Sequence, residues 1–121
     1  MLAKSSEDSH CVALMQWCAL NIKQSPQLKW LTHIPNGGAR DIREGAKFKA
    51  MGVKRGFPDY FLAMPVDSYC GLMIEMKVGK NKTSSDQDDW IAHLVNAGYC
   101  VCVCYGWEEA KDRILEYLNG S

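Results

Sequence analysis

A chain of 121 residues, with 14 Lys and Arg against 14 Asp and Glu and 47% hydrophobic residues, has the length and make-up of one globular domain over residues 1–121. No apolar run is long enough to cross a bilayer, which excludes a helical membrane span, and nothing in the composition is that of a disordered or fibrous chain. A formal net charge of zero excludes a uniformly basic nucleic-acid binder and leaves only a local positive face as a means of meeting phosphates.

The first residues, Met1 to Asp8, lack the basic start and apolar stretch of a secretory leader, so a cytoplasmic, reducing location is expected. Apolar residues at Val12, Leu14, Met15, Cys18, Ala19 and Ile22 are spaced for a helix from about Glu7 to Ile22, with Ser5 or Ser6 as its cap. Leu28 to Ile34 reads as a short strand, stopped by Pro35-Asn36-Gly37-Gly38. A second helix is expected over Arg40–Met51, ended by Gly52. Phe57 to Met64 reads as a strand with Pro58 at its start, where a missing N–H matters least. Cys70 to Lys77 is the next strand, joined to the previous one through Val66-Asp67-Ser68 as a hairpin neighbour. A polar loop, Gly79 to Thr83, leads to Ser84-Ser85-Asp86-Gln87, a capping box that opens a helix running to about Ala97 before Gly98. Tyr99 to Tyr105 is an apolar strand and Trp107 to Leu118 an amphipathic helix. Adjacent strands followed by a strand–helix–strand crossover imply an α/β protein with a mixed central sheet flanked by helices.

Cys100, Cys102 and Cys104 share one strand face and Cys11 and Cys18 one helix face. With no C-x-x-C pair and three scattered histidines, the cysteines read as small buried hydrophobes rather than metal or redox groups. Trp90 and Trp107 are expected to pack on the sheet, with Trp17, Trp30 and Trp107 candidates for an apolar interface.

The informative constellation is Pro58-Asp59 followed by Glu75-Met76-Lys77. Glu75 and Lys77 lie two apart and point to one face of a strand that is otherwise apolar, where charges need a reason. In a hairpin pair the start of one strand lies beside the end of the next, which brings Asp59 to them. Two carboxylates so placed repel each other unless a cation joins them, and Mg²⁺ or Mn²⁺ suits a set of hard oxygens to which the Met76 carbonyl can add. A lysine beside that cation can orient water and stabilise charge on a phosphate, a sufficient set for phosphodiester hydrolysis. An isolated E-x-K is common as a strand-end ion pair; P-D and E-x-K on adjacent strands are more specific. Basic residues collect at Arg40, Arg43, Lys47, Lys49, Lys54 and Arg55, and again at Lys77, Lys80 and Lys82, as candidate DNA contacts.

Gly52-x-x-x-Gly56-x-Pro58-Asp59, Ile74-Glu75-Met76-Lys77, Gln87-x-x-Trp90 and Gly98-Tyr99 together resemble the VRR-NUC nucleases, compact members of the PD-(D/E)xK superfamily. The resemblance runs from about Glu7 to Leu118 and includes His33-Ile34-Pro35-Asn36-Gly37-Gly38 ahead of an inserted helix. It implies a restriction-endonuclease-like αβββαβ core with an inserted helix. It also implies Asp59 and Glu75 as metal ligands, Lys77 as the catalytic lysine and Gln87 as a supporting polar residue. Glu7 matches the family's first-helix glutamate, though it equally suits a helix start as an acid favoured by the dipole. Cys11 departs from an expected glutamine, which leaves His10 as a candidate substitute; Gln87 is also what a capping box uses. The small stand-alone members that this chain resembles are homodimers that cut branched DNA such as four-way (Holliday) junctions. A flap or single-strand nuclease, and a catalytically silent DNA-binding or assembly module on the same fold, are the alternatives.

Overall fold

The computed structural model describes residues 6–35 and 42–120. Their elements are α1 (Glu7–Asn21), a 3₁₀ turn (Pro26–Trp30), β1 (Leu31–His33), α2 (Ile42–Ala50), β2 (Tyr60–Leu62), β3 (Leu72–Lys77), α3 (Ser85–Asn96), β4 (Cys100–Tyr105) and α4 (Trp107–Leu118). The strands form one sheet in the order β1-β2-β3-β4. β1 and β2 are antiparallel, as are β2 and β3, while β3 and β4 are parallel with α3 as the crossover between them. This is the mixed α/β sheet expected from the order of the elements.

Period-two alternation on β3 separates two faces. Leu72, Ile74 and Met76 join Tyr60, Leu62 and Cys104 in a core closed by Leu14 and Cys18 of α1 and Ala110, Ile114 and Tyr117 of α4. The opposite face carries Met73, Glu75 and Lys77, and α3 packs there along β4. All six residues of β3 are buried, so its two charged side chains lie inside the fold rather than at a wet strand end.

Several boundaries differ from the sequence expectation. The first three residues of the strand expected over Leu28–Ile34 lie instead in the 3₁₀ turn Pro26–Trp30, which opens on Pro26, whose φ is fixed and which has no N–H to give to a ladder. The strand expected over residues 57–64 pairs as a strand only over Tyr60–Leu62. Arg40, Asp41 and the Asn36-Gly37-Gly38 segment lie outside the described residues, as does Ser5; Ser6 caps α1 in a reciprocal box with Ser9. α2 closes at Gly52 with the Val53 N–H on the Phe48 carbonyl (2.9 Å) and the Gly52 N–H on that of Lys49 (3.0 Å). Trp17 and Trp107 pack against the core, and Trp90 stacks edge-on against Phe57 at 4.9 Å. Of the three tryptophans expected at an apolar surface only Trp30 is exposed; α1 also leaves Val12, Met15 and Leu20 exposed, with Ile22 at its C-cap. All six cysteines are free thiols. Burial pushes Cys18 and Cys102 up to about 11 and Cys104 to about 12, which keeps them protonated and consistent with packing roles.

No helix of the described residues is long and apolar enough to cross a membrane.

Candidate active site

Glu75 is 2% exposed and Lys77 8%, on the face of β3 that meets α3. Lys77 Nζ lies 3.8 Å from Glu75 Oε2. The same oxygen accepts a hydrogen bond from Gln87 Nε2 at 3.0 Å. Gln87 is the third residue of α3, and its Oε1 accepts the Ser84 N–H at 2.8 Å while Ser84 Oγ accepts the Gln87 N–H. The capping and supporting readings of Gln87 therefore hold together: the cap fixes the amide, and the fixed amide holds Glu75.

Asp59 stands where the sheet begins to open. Its carbonyl accepts the Ile34 N–H at 2.7 Å, which continues the β1–β2 ladder, while its Oδ2 accepts the Met76 N–H at 2.7 Å. Continuing the β2–β3 register from Tyr60 opposite Ile74 sets Asp59 opposite Glu75, on the same face.

The close approach of the segment before Asp59 depends on Gly56. A Cβ there would stand 2.6 Å from the Asp86 carbonyl carbon and 2.7 Å from the Gln87 nitrogen, and its φ of +88° is one that L side chains rarely adopt. Gly56 thus lets the strand carrying Asp59 and the helix carrying Gln87 meet.

The electrostatics follow from this packing. Burial, then the charge of Asp59 and a hydrogen bond with it, push Glu75 up to about 8, with Lys77 pulling the other way. Glu75 Oε1 is buried with no hydrogen-bond partner among the described residues. Glu7, half-buried at the start of α1, has its carboxyl raised by burial, lowered by Lys77 and raised again by Asp59, so it lies within the electrostatic reach of both. His10 does not substitute for it: its Nδ1 accepts the Trp107 N–H at 3.0 Å and so caps α4. His33 packs against Tyr60, with ring centroids 5.0 Å apart, and is exposed.

A divalent cation fits this donor set. Two carboxylates face each other, one has an unpartnered buried oxygen, and the charge that raises Glu75 is the charge a cation would neutralise. No three Asp, Glu, His or Cys side chains among the described residues group closely enough to hold an ion unaided. The remaining positions would fall to the Met76 carbonyl and to water, as suits Mg²⁺, which keeps several of its waters.

Arg43, Lys47, Lys49, Lys54, Arg55, Lys80 and Lys82 are exposed. Tyr105, beside Lys77 in the β3–β4 register, donates its hydroxyl to the Asn81 carbonyl at 2.8 Å and so ties the Lys80–Lys82 loop to the Lys77 end of the sheet. Among the described residues α2 makes no extensive contact with another element, and none of its basic residues is among the charges that act on Glu75. Tyr105 and Gly56 are the residues that sequence reasoning did not place at the site; the glycine spacing ahead of Pro58 was the only signal for either.

The sequence profile of the VRR-NUC domain matches residues 5–108. A solved structure described as a VRR_NUC domain protein superposes with a TM-score of 0.81 and 30% identity, covering 99% of this chain and 93% of that one. No curated relative matches the chain.

Proposed function

Because this chain belongs to the VRR-NUC family, whose domain is of nuclease type, we propose that it is a metal-dependent endodeoxyribonuclease centred on Asp59, Glu75 and Lys77. The observation that carries this reading is the gathering around Glu75 of a second carboxylate, an ammonium and a fixed amide, with one carboxylate oxygen left open. Asp59, Glu75 and the Met76 carbonyl are the candidate ligands of Mg²⁺ or Mn²⁺. When bound, the cation supplies charge neutralisation on the phosphate and a more acidic water. Lys77 brings a fixed positive charge and N–H donors, which orient the attacking water and stabilise charge growing on the phosphate oxygens. Gln87 prevents Glu75 from rotating away. Glu7 adds negative charge beside Lys77 and Asp59 at the edge of the same site.

The substrate in this reading is DNA with branches, four-way junctions in particular, cut by a homodimer whose two sites are related by a two-fold axis. Its support is the likeness to a VRR_NUC domain protein and the exposed hydrophobic side chains Val12, Met15 and Leu20 on α1.

The test is cleavage of junction, flap, duplex and single-stranded DNA with Mg²⁺, Mn²⁺, Ca²⁺ or EDTA. Mg²⁺ or Mn²⁺ should support cutting of junctions above all, and Ca²⁺ binding without turnover. Asp59→Ala, Glu75→Ala and Lys77→Ala should each lower the rate at least about a hundredfold, the equivalent of roughly 3 kcal/mol of barrier, with folding kept. Full activity in EDTA, or a wild-type rate in Glu75→Ala, would sink the proposal.

A further inference from the structure

The hydrogen-bond directions of β3 single out Pro58. The Cys100 N–H bonds the Gly71 carbonyl and the Gly106 N–H the Lys77 carbonyl, both at 3.0 Å, so the odd-numbered residues at this edge of the sheet face β4. Met76 is even-numbered, and its N–H and C=O both face β2. On β2 the odd-numbered residues face β1: the Asp59 carbonyl accepts from Ile34 and the Ala63 N–H donates to Trp30. Position 58 therefore faces β3. Two residues on from the Tyr60–Ile74 pair, the register sets it opposite Met76.

In a regular antiparallel ladder, the residue at position 58 would donate its N–H to the Met76 carbonyl and accept the Met76 N–H in return. Neither bond is made. Proline has no N–H, and the Met76 N–H is taken by Asp59 Oδ2 at 2.7 Å. The Met76 carbonyl is thus deprived of its ladder donor inside the fold, where Met76 is 0% exposed and Pro58 is fully buried. A buried carbonyl left this way costs folding free energy unless something else binds it. It lies between Glu75 and Lys77 in sequence and is bracketed by the Asp59 carboxylate.

We propose that Pro58 is a positioning residue for the metal: by withholding an N–H it keeps the Met76 carbonyl open as a third oxygen ligand beside Asp59 and Glu75. This rests on the metal-dependent reading above and gives the proline ahead of Asp59 a chemical reason beyond chain stiffness.

The test is Mn²⁺ binding to the whole protein by calorimetry, with no DNA and no turnover. Pro58→Ala restores an N–H, and its Mn²⁺ Kd should rise about tenfold, the scale of losing support for a metal ligand. A through-hydrogen-bond coupling between the backbone nitrogen of position 58 and the Met76 carbonyl carbon should appear in the NMR spectrum of the metal-free variant. N-methylalanine at position 58, placed by chemical ligation, lacks both the N–H and the ring, and should return the Kd to the wild-type value. If Pro58→Ala fails to fold, the N-methylalanine protein decides alone: a wild-type Kd supports the proposal and a weakened one overturns it. A folded Pro58→Ala with unchanged Kd overturns this inference and leaves the nuclease reading standing. A wild-type protein that binds no Mn²⁺ removes the metal reading and this inference with it.

Discussion

At Glu75, burial and the neighbouring Asp59 both penalise the ionised carboxylate, and Lys77 offsets them only in part. In metal-free protein the folded state therefore keeps a proton that the unfolded chain releases above 4.5, and keeps it up to about 8. The protonated carboxyl contributes its full share of stability below 4.5, and that share is lost as pH rises through about 8. The melting temperature in EDTA should fall across this window, and Glu75→Gln, which cannot ionise, should flatten the fall. Added Mg²⁺ should raise the wild-type melting temperature more at pH 8 than at pH 5, because at pH 8 the proton it displaces is only partly bound. An identical pH profile for wild type and Glu75→Gln would show that Glu75 ionises freely. At this scale Glu75 and Lys77 were legible because charges inside an apolar strand stand out, and Asp59 through its place on the neighbouring strand. The double engagement of Gln87 was not, since its two partners lie on a helix cap and on a strand.

Among the elements, the junction of the Gly56–Asp59 segment with the start of α3 decides whether the site exists. Gly56→Ala brings a Cβ into the Asp86–Gln87 backbone and a side chain to a positive φ. It should cost about 2 kcal/mol or more in urea unfolding and weaken cleavage further than that loss of stability explains, by shifting Gln87. Wild-type stability and rate in this variant would refute the close approach. The basic segment makes a different prediction. Arg43, Lys47, Lys49, Lys54 and Arg55 are exposed on or just after a helix that makes no extensive contact with another described element, so they are open to a phosphate backbone. Reversing charge at Lys47, Lys49 and Lys54 together should weaken binding to every DNA tested and reduce the salt slope, by about 0.9 for each lost duplex phosphate contact. An unchanged slope would mean that this helix faces away from DNA.

For the whole molecule, one chain carries one such site, and cutting two strands of a junction calls for two. Light scattering at micromolar concentration is expected to give a dimer, with an interface above roughly 1,000 Å² in total. Trp17 and Trp107 are used by the core, which leaves Val12, Met15, Leu20, Ile22 and Trp30 among the exposed apolar side chains available for it. Mixed dimers with one Glu75→Ala subunit should nick a single strand. A strict monomer, free and junction-bound, would move the reading to flap or single-strand cleavage.

Periodicity and punctuation by themselves determined the helices, the order of the strands, the mixed sheet and the residues Asp59, Glu75 and Lys77. These are local signals: apolar spacing, Ser84 and Gln87 in a cap, Gly52 and Gly98 after helices, and charges in a buried strand. Only the tertiary structure decided that β1 is three residues long, that His10 caps α4, that Glu7 feels the charges of Asp59 and Lys77 and that Gly56 is closed in by the Asp86–Gln87 backbone. Each of these depends on a partner distant in sequence, as His10 and Trp107 are 97 positions apart. A pattern read along the chain shows which face a side chain prefers. It does not show which distant backbone group will stand opposite, because that is set by how the helices pack on the sheet.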